Sequence, residues 1–153
     1  MLGRFTEKAR RTVFFARWKA SQYSSSSIEP EHLLMALFKD RWLIAGLLGN
    51  TSEPEFRGEI FSGAFAGEAT QKIEVPFRDA SKRILNHSAE EADQLLDSHI
   101  GNEHLLLGIL LEKKCNAARA LSQRGVKVKA LRNSILQIPG EERKLKGAKE
   151  GGS

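Results

Sequence analysis

The sequence predicts an all-α fold: two tandem four-helix repeats packed as a pseudo-twofold, eight-helix domain. Three observations predict it. Shifting the 153-residue chain by 72 positions lays residues 5–38 on residues 77–110 without a gap. Identities on that shift include Phe5/Phe77, Arg11/Arg83, Ala20/Ala92, Gln22/Gln94, Ile28/Ile100, Glu31/Glu103, His32/His104, Leu33/Leu105 and Leu34/Leu106. Within both stretches apolar residues recur at steps of three and four, the period of one helix face. No segment shows the two-residue alternation of a half-buried strand. Each unit is small for an independent core, so the two are expected to share one.

In repeat one, residues 1–62, a long first helix over about 6–23 carries Ala9, Val13, Ala16, Ala20 and Tyr23 on one face. Its counterpart in repeat two, residues 75–138, carries Ser81, Leu85, Ser88, Ala92 and Leu95. Four serines, Ser24 to Ser27, and Pro30 at a first-turn position introduce a short second helix with Leu33, Leu34 and Leu37. Gly101 and Asn102 make the equivalent break before Leu105, Leu106 and Ile109. Residues 42–48 and, after Asn50, Thr51 and Ser52 as a capping segment, residues 53–61 complete repeat one. Repeat two ends with a helix over 117–121, stopped by Gly125, and another over 126–138. Residues 63–74, rich in Gly and Ala, read as a linker, and residues 139–153 as a flexible tail.

With 41% hydrophobic and 28% charged residues, composition excludes wholesale disorder. A lone cysteine, Cys115, excludes an internal disulfide framework and a Cys-based zinc finger. No stretch approaches the roughly 18 apolar residues of a membrane span, and the start lacks the apolar core of a signal peptide. A soluble protein of a reducing cytoplasm, without a membrane partner, is expected. The net charge of +5 divides unevenly: residues 1–23 carry six cations and one anion, residues 24–76 four and eight. The excess sits on the first helix, in Arg4, Lys8, Arg10, Arg11, Arg17 and Lys19. That is a local basic face rather than a uniform footprint for DNA. A basic helical nucleic-acid-binding protein stands as the alternative function, marked by binding that weakens steeply with salt.

The residues that carry the duplication also carry a family likeness. Gly3-Arg4-Phe5-Thr6-Glu7-Lys8-Ala9-Arg10, then Ile28 with Glu31-His32-Leu33-Leu34, then Phe77 and the run Ile100 to Leu110, resemble the double-repeat N-terminal domain of Clp unfoldase ATPases, its ClpC branch above all. The likeness covers about residues 1–138, and Ala117 to Leu121 with Gly125-Val126 extends it. It implies a recognition module without catalytic residues, cofactor or metal, whose partners are a Clp ATPase ring, its adaptors or protein substrates. The phosphate-binding loop of the motor modules, Gly-x-x-x-x-Gly-Lys-Ser/Thr, is absent, so the chain reads either as a free-standing domain, the favoured expectation, or as a fragment of something longer. The ClpC branch binds phosphoarginine at one pocket per repeat. By position Glu31 and Glu103 would accept the guanidinium, with Arg4 and Thr6 on the phosphate side of the first pocket and Arg78 at the corresponding place in the second. Pro30 and Asn102 stand where the family has Thr, and Arg78 where it has a small hydroxyl residue.

Other readings of these residues are structural. Glu31 and Glu103 near helix starts complement the helix dipole, and His32 and His104 would cap or pack beneath a loop. Glu90 and Glu91 read as a solvated helix face, and Cys115 as a small residue at a helix start. Phe14 and Trp18, one turn apart, align with Asn86 and Glu90, off the apolar face. They are candidates for an exposed partner surface flanked by Arg10, Arg11 and Arg17, unless Trp42 or Phe56 covers them.

Overall fold

The computed structural model describes residues 2–49 and 75–138. The expected helix over 53–61, the linker 63–74 and the tail 139–153 lie outside them. Seven helices and no strand occur among the described residues: α1 (Glu7–Gln22), α2 (Pro30–Leu37), α3 (Arg41–Leu48), α4 (Asp79–Gln94), α5 (Asn102–Leu111), α6 (Asn116–Gln123) and α7 (Val128–Gln137). The chain is all-α, as expected.

The two long helices follow the same rules at both ends. Thr6 caps α1, its Oγ1 accepting the Ala9 N–H at 3.0 Å. Inside, α1 buries Ala9, Thr12, Val13, Ala16 and Ala20. Its counterpart α4 buries Ser81, Ile84, Leu85, Ser88, Glu91 and Ala92. After each, the chain turns through a left-handed residue at the same register, Ser24 (φ 56°) and Leu96 (φ 60°). The next N–H reaches back five residues, Ser25 to the Ala20 carbonyl at 2.9 Å and Asp97 to the Ala92 carbonyl at 2.8 Å.

Helices α2 and α5 are buried on nearly every side, Met35 and Ala36 as fully as Leu33, Leu34 and Leu37. Each is sandwiched between the long helix of its own copy and elements of the other. Where α4 crosses α5, Gly108 allows the approach: a Cβ there would lie 2.6 Å from the Ile84 carbonyl oxygen and 2.5 Å from Ser88 Oγ. The other copy solves the same crossing with two small residues, Ala16 and Ala36, both buried.

The copies are tied by crossed backbone pairing. The Thr6 N–H donates to the Ile100 carbonyl (2.9 Å) and the Ile100 N–H to the Arg4 carbonyl (2.9 Å). In the mirror position, the Ile28 N–H donates to the Pro76 carbonyl (2.7 Å) and the Arg78 N–H to the Ile28 carbonyl (3.1 Å). That carbonyl also accepts Ser81 Oγ at 2.7 Å. The loop before each short helix is thus held by the start of the other copy's long helix. The histidines lock the same loops from inside: His32 Nδ1 accepts the Glu29 N–H at 2.9 Å and His104 Nδ1 the Gly101 N–H at 2.8 Å. A histidine here does the work of the Glu or Gln of a capping box.

Glu91 corrects the expectation of a solvated acidic face. It is buried, and Arg132 of α7 grips both its oxygens, Nε at 2.9 Å and Nη2 at 2.5 Å. Glu90 alone of the pair is exposed.

Three outcomes follow from these contacts. Arg132→Ala strands a buried carboxylate and should lower unfolding free energy by about 2–4 kcal/mol in urea titration. Leu96 is 73% exposed and left-handed, so Leu96→Gly should raise stability by about 0.5–1 kcal/mol in the same assay. Burial lowers the His32 pKa from 6.5 to about 4. Stability from its neutral form is complete above the unfolded pKa and is lost as pH falls through that window, about 3 kcal/mol in all. His32→Gln keeps an acceptor for the Glu29 N–H, and its thermal midpoint should vary less between pH 7 and 4 than that of the parent chain.

Candidate functional site

The crossed pairing decides which candidate residues are neighbours. Arg4 and Thr6 stand beside the Ile100 loop that leads into Glu103, whereas Arg78 stands beside the Ile28 loop that leads into Glu31. The grouping expected from the sequence, Arg4 and Thr6 with Glu31, is therefore exchanged between copies. The cause is the pairing of each helix start with the other copy's loop, which a linear alignment cannot display.

On the first side, the Glu103 carboxylate folds back over Gly101, where a Cβ would lie 2.6 Å from Oε1. Its side chain keeps 29% of its surface in solvent, with Oε1 at 3.5 Å from His104 Nδ1. His104 itself is buried, and its Nε2 meets Asp97 Oδ2 at 2.8 Å. Arg4 Nη2 pairs with Asp93 Oδ1 at 2.7 Å, both side chains largely in solvent. The Thr6 hydroxyl, while accepting the Ala9 N–H, still has its proton to give. A solvent-facing carboxylate, a cation, a hydroxyl and a helix start thus line one side of the molecule.

The second side is differently built. Glu31 is half-buried, and burial raises its pKa above the ordinary carboxylate range, against hydrogen bonds from backbone N–H groups including those of Ala117 and Asn116. The Glu31 carboxylate thus lies by the first N–H groups of α6 in the other copy. The N-cap residue there, Cys115, offers only a sulfur acceptor, 3.4 Å from the Ala118 N–H. Burial pushes the Cys115 thiol up to about 11, so it is a protonated packing residue at neutral pH. Arg78 approaches Glu29 at 3.7 Å, and Glu29 also accepts Ser27 Oγ at 2.9 Å.

Phe14 and Trp18 are 70% and 48% exposed. Trp18 leans on Phe15, ring centroids 5.3 Å apart. Arg10 and Arg11 are exposed, and Arg11 pairs with Glu7 at 2.7 Å. Arg17 instead turns toward the other copy, its guanidinium 5.9 Å from the Phe77 ring centre, and is half-buried. Trp42 does not cover these aromatics in a core, being 60% exposed itself. Phe56 lies outside the described residues. Sequence reasoning passed over Phe15, Lys39, Arg41 and Asp93; the charge run Lys39-Asp40-Arg41 before Trp42 was the available signal for two of them.

Among the described residues no three His, Cys, Asp or Glu side chains gather as a metal site would require, and no helix is long and apolar enough to cross a membrane.

Comparison with known proteins accords with this geometry. The family model for the Clp repeat N-terminal domain matches residues 4–124 and 76–151. The chain is 33% identical over 155 aligned positions to the chloroplastic ATP-dependent Clp protease ATP-binding subunit ClpA homolog CD4B of Solanum lycopersicum, covering 99% of the chain and 17% of that protein. The figures for the chloroplastic chaperone protein ClpC1 of Oryza sativa subsp. japonica are the same. The chain thus spans about a sixth of the length of these relatives. Among solved structures, the N-terminal domain of the caseinolytic protease associated chaperone ClpD from Arabidopsis thaliana superposes with a TM-score of 0.70 at 23% identity, covering 90% of this chain and 95% of that one. The Hsp104 N-terminal domain from Candida albicans gives 0.69 at 18%, covering 89% and 91%. With its duplicated helices, its crossed loops and a family model spanning nearly its whole length, the chain belongs to the Clp repeat N-terminal domain family.

Proposed function

We propose that this chain is a non-catalytic recognition module that receives protein substrates or adaptor proteins for an ATP-dependent Clp unfoldase or protease in a reducing cytoplasm. Family membership supports the general role. The observation that carries the specific one is the placing of Arg4, Thr6 and the start of α1 against the loop of Glu103. Phosphoarginine joins a guanidinium directly to a phosphoryl group, and this side of the molecule offers a group for each. The Glu103 carboxylate suits the guanidinium, and Arg4 with the Thr6 hydroxyl suits the phosphoryl oxygens, Arg4 exchanging Asp93 for the ligand. The Glu31 side, with Arg78, is the weaker acceptor because its carboxylate is more deeply buried and burial disfavours its charged form. Phe14 and Trp18, with Arg10, Arg11 and Arg17 nearby, add a surface for a partner protein.

Calorimetric titration with free phosphoarginine should give a saturable heat. Glu103→Ala and Arg4→Ala should each weaken it about tenfold or more. Glu31→Ala should weaken it less than Glu103→Ala does. Absence of heat at millimolar phosphoarginine overturns this ligand assignment.

A further inference from the structure

A groove of about 410 Å³ runs between α1 and the start of α3. One wall is the α1 face of Lys8, Arg11 and Phe15; the other is formed by Lys39, Arg41 and Trp42, over a floor of Thr12 and Ala36. Four cations therefore line it. Its one carboxylate, Asp40, is engaged at both oxygens, Oδ1 capping α3 through the Leu43 N–H (3.2 Å) and Oδ2 accepting Asn102 Nδ2 (3.0 Å). Among the described residues, Arg11 is the only one of the four cations with an ion pair, and that pair, to Glu7, runs along the exposed side of α1. The apolar surface inside is aromatic: Trp42 is 60% exposed, and Phe15 carries the Lys39 ammonium 4.3 Å from its ring centre.

The second copy shows what this place holds when it is satisfied. On the 72-residue shift Arg11, Phe15 and Asp40 become Arg83, His87 and Glu112. There the Glu112 carboxylate lies across the groove, both oxygens 3.1 Å from Arg83 Nε and Oε2 3.6 Å from His87 Nε2. A carboxylate thus completes the second copy from within. In the first copy Asp40 pairs with Asn102 and the Leu43 N–H instead of a cation, and additional cations, Lys8 and Lys39, stand where the second copy has Ala80 and Leu111.

From this we infer that the α1–α3 groove is a docking site for an acidic, extended protein segment, which sets carboxylates among Lys8, Lys39 and Arg41 and an aromatic side chain against Trp42. Charge complementarity selects the occupant, and the Glu112 carboxylate is its internal counterpart. A polynucleotide fits less well. A run of stacked bases needs successive open ring faces, and of the two rings lining the groove the Phe15 face is taken by Lys39, which leaves Trp42. The cations also form one local cluster bounded by Asp40, not a track along the surface. The inference rests on the recognition role above and adds a site separate from the Glu103 side.

The test is fluorescence anisotropy with a short dye-labelled peptide in which one Phe is flanked by glutamates. Saturable binding is expected, weakened about tenfold by Trp42→Ala and about thirtyfold or more by the Lys39→Glu/Arg41→Glu pair. The charge-reversed pair should in turn bind the same peptide with lysines in place of glutamates, which shows that it is folded. Phosphoarginine and Glu103→Gln should leave peptide affinity unchanged, so that failure of the phosphoarginine site and failure of the groove are read apart. The inference is overturned if the parent chain does not bind the peptide, if the charge-reversed pair binds it as well as the parent, if phosphoarginine displaces it, or if oligothymidylate of equal charge binds as tightly.

Discussion

The structure depends on four backbone hydrogen bonds that cross between the copies. Each loop before a short central helix is irregular, and the N–H groups of Ile28 and Ile100 find their partners in the other copy. Burying such a segment beneath packed helices would cost about 1–3 kcal/mol for every unpaired group. The partners come from the first residues of the opposite long helix, at Phe5 and Phe77. Once those bonds form, α2 and α5 are trapped side by side at the centre, and α1, α4, α6 and α7 each pack against one of them, while α3 meets α7. The buried histidines serve the same loops from beneath, so the constraint is secured on both faces.

Much of this was legible in the chain. The 72-residue repeat, the period of Ala9, Val13, Ala16 and Ala20, and the stop at Gly125 place helices within a residue or two of where they lie. What stayed hidden depends on the other copy. Met35 and Ala36 look like the outer face of α2 until a second helix is packed against them. Glu91 looks solvated until Arg132, 41 residues later, is brought to it. The exchange of Glu31 and Glu103 between their partners is likewise invisible to a linear alignment, because the alignment pairs residues that are equivalent and the fold pairs residues that are not.

A symmetric interior here supports an asymmetric exterior. Positions shared by the copies are mostly buried or cap a helix, as with Ile28 and Ile100 or His32 and His104. Where they diverge in the interior the exchange is between small or apolar residues, as with Ala36 against Gly108; other differences lie at the surface, as with Phe14 against Asn86, or fix one copy more tightly than the other, as with Glu91 against Lys19. Divergence of this kind costs the core little, since an exposed side chain contributes small stability. It lets one scaffold carry two unlike faces.

The crossed bonds also have the symmetry of a dimer. Contacts in which residue 5 of one copy meets residue 100, and residue 28 meets residue 77, are reciprocal in the way an isologous interface is: each half offers the same patch and receives the same patch. Two separate chains of a single repeat, related by a true twofold axis, would make the identical set. Joining them into one polypeptide turns a concentration-dependent association into a permanent one. It also removes the requirement that the two halves stay alike, and Arg11 and Arg83, equivalent in sequence, pair with Glu7 and with Glu112.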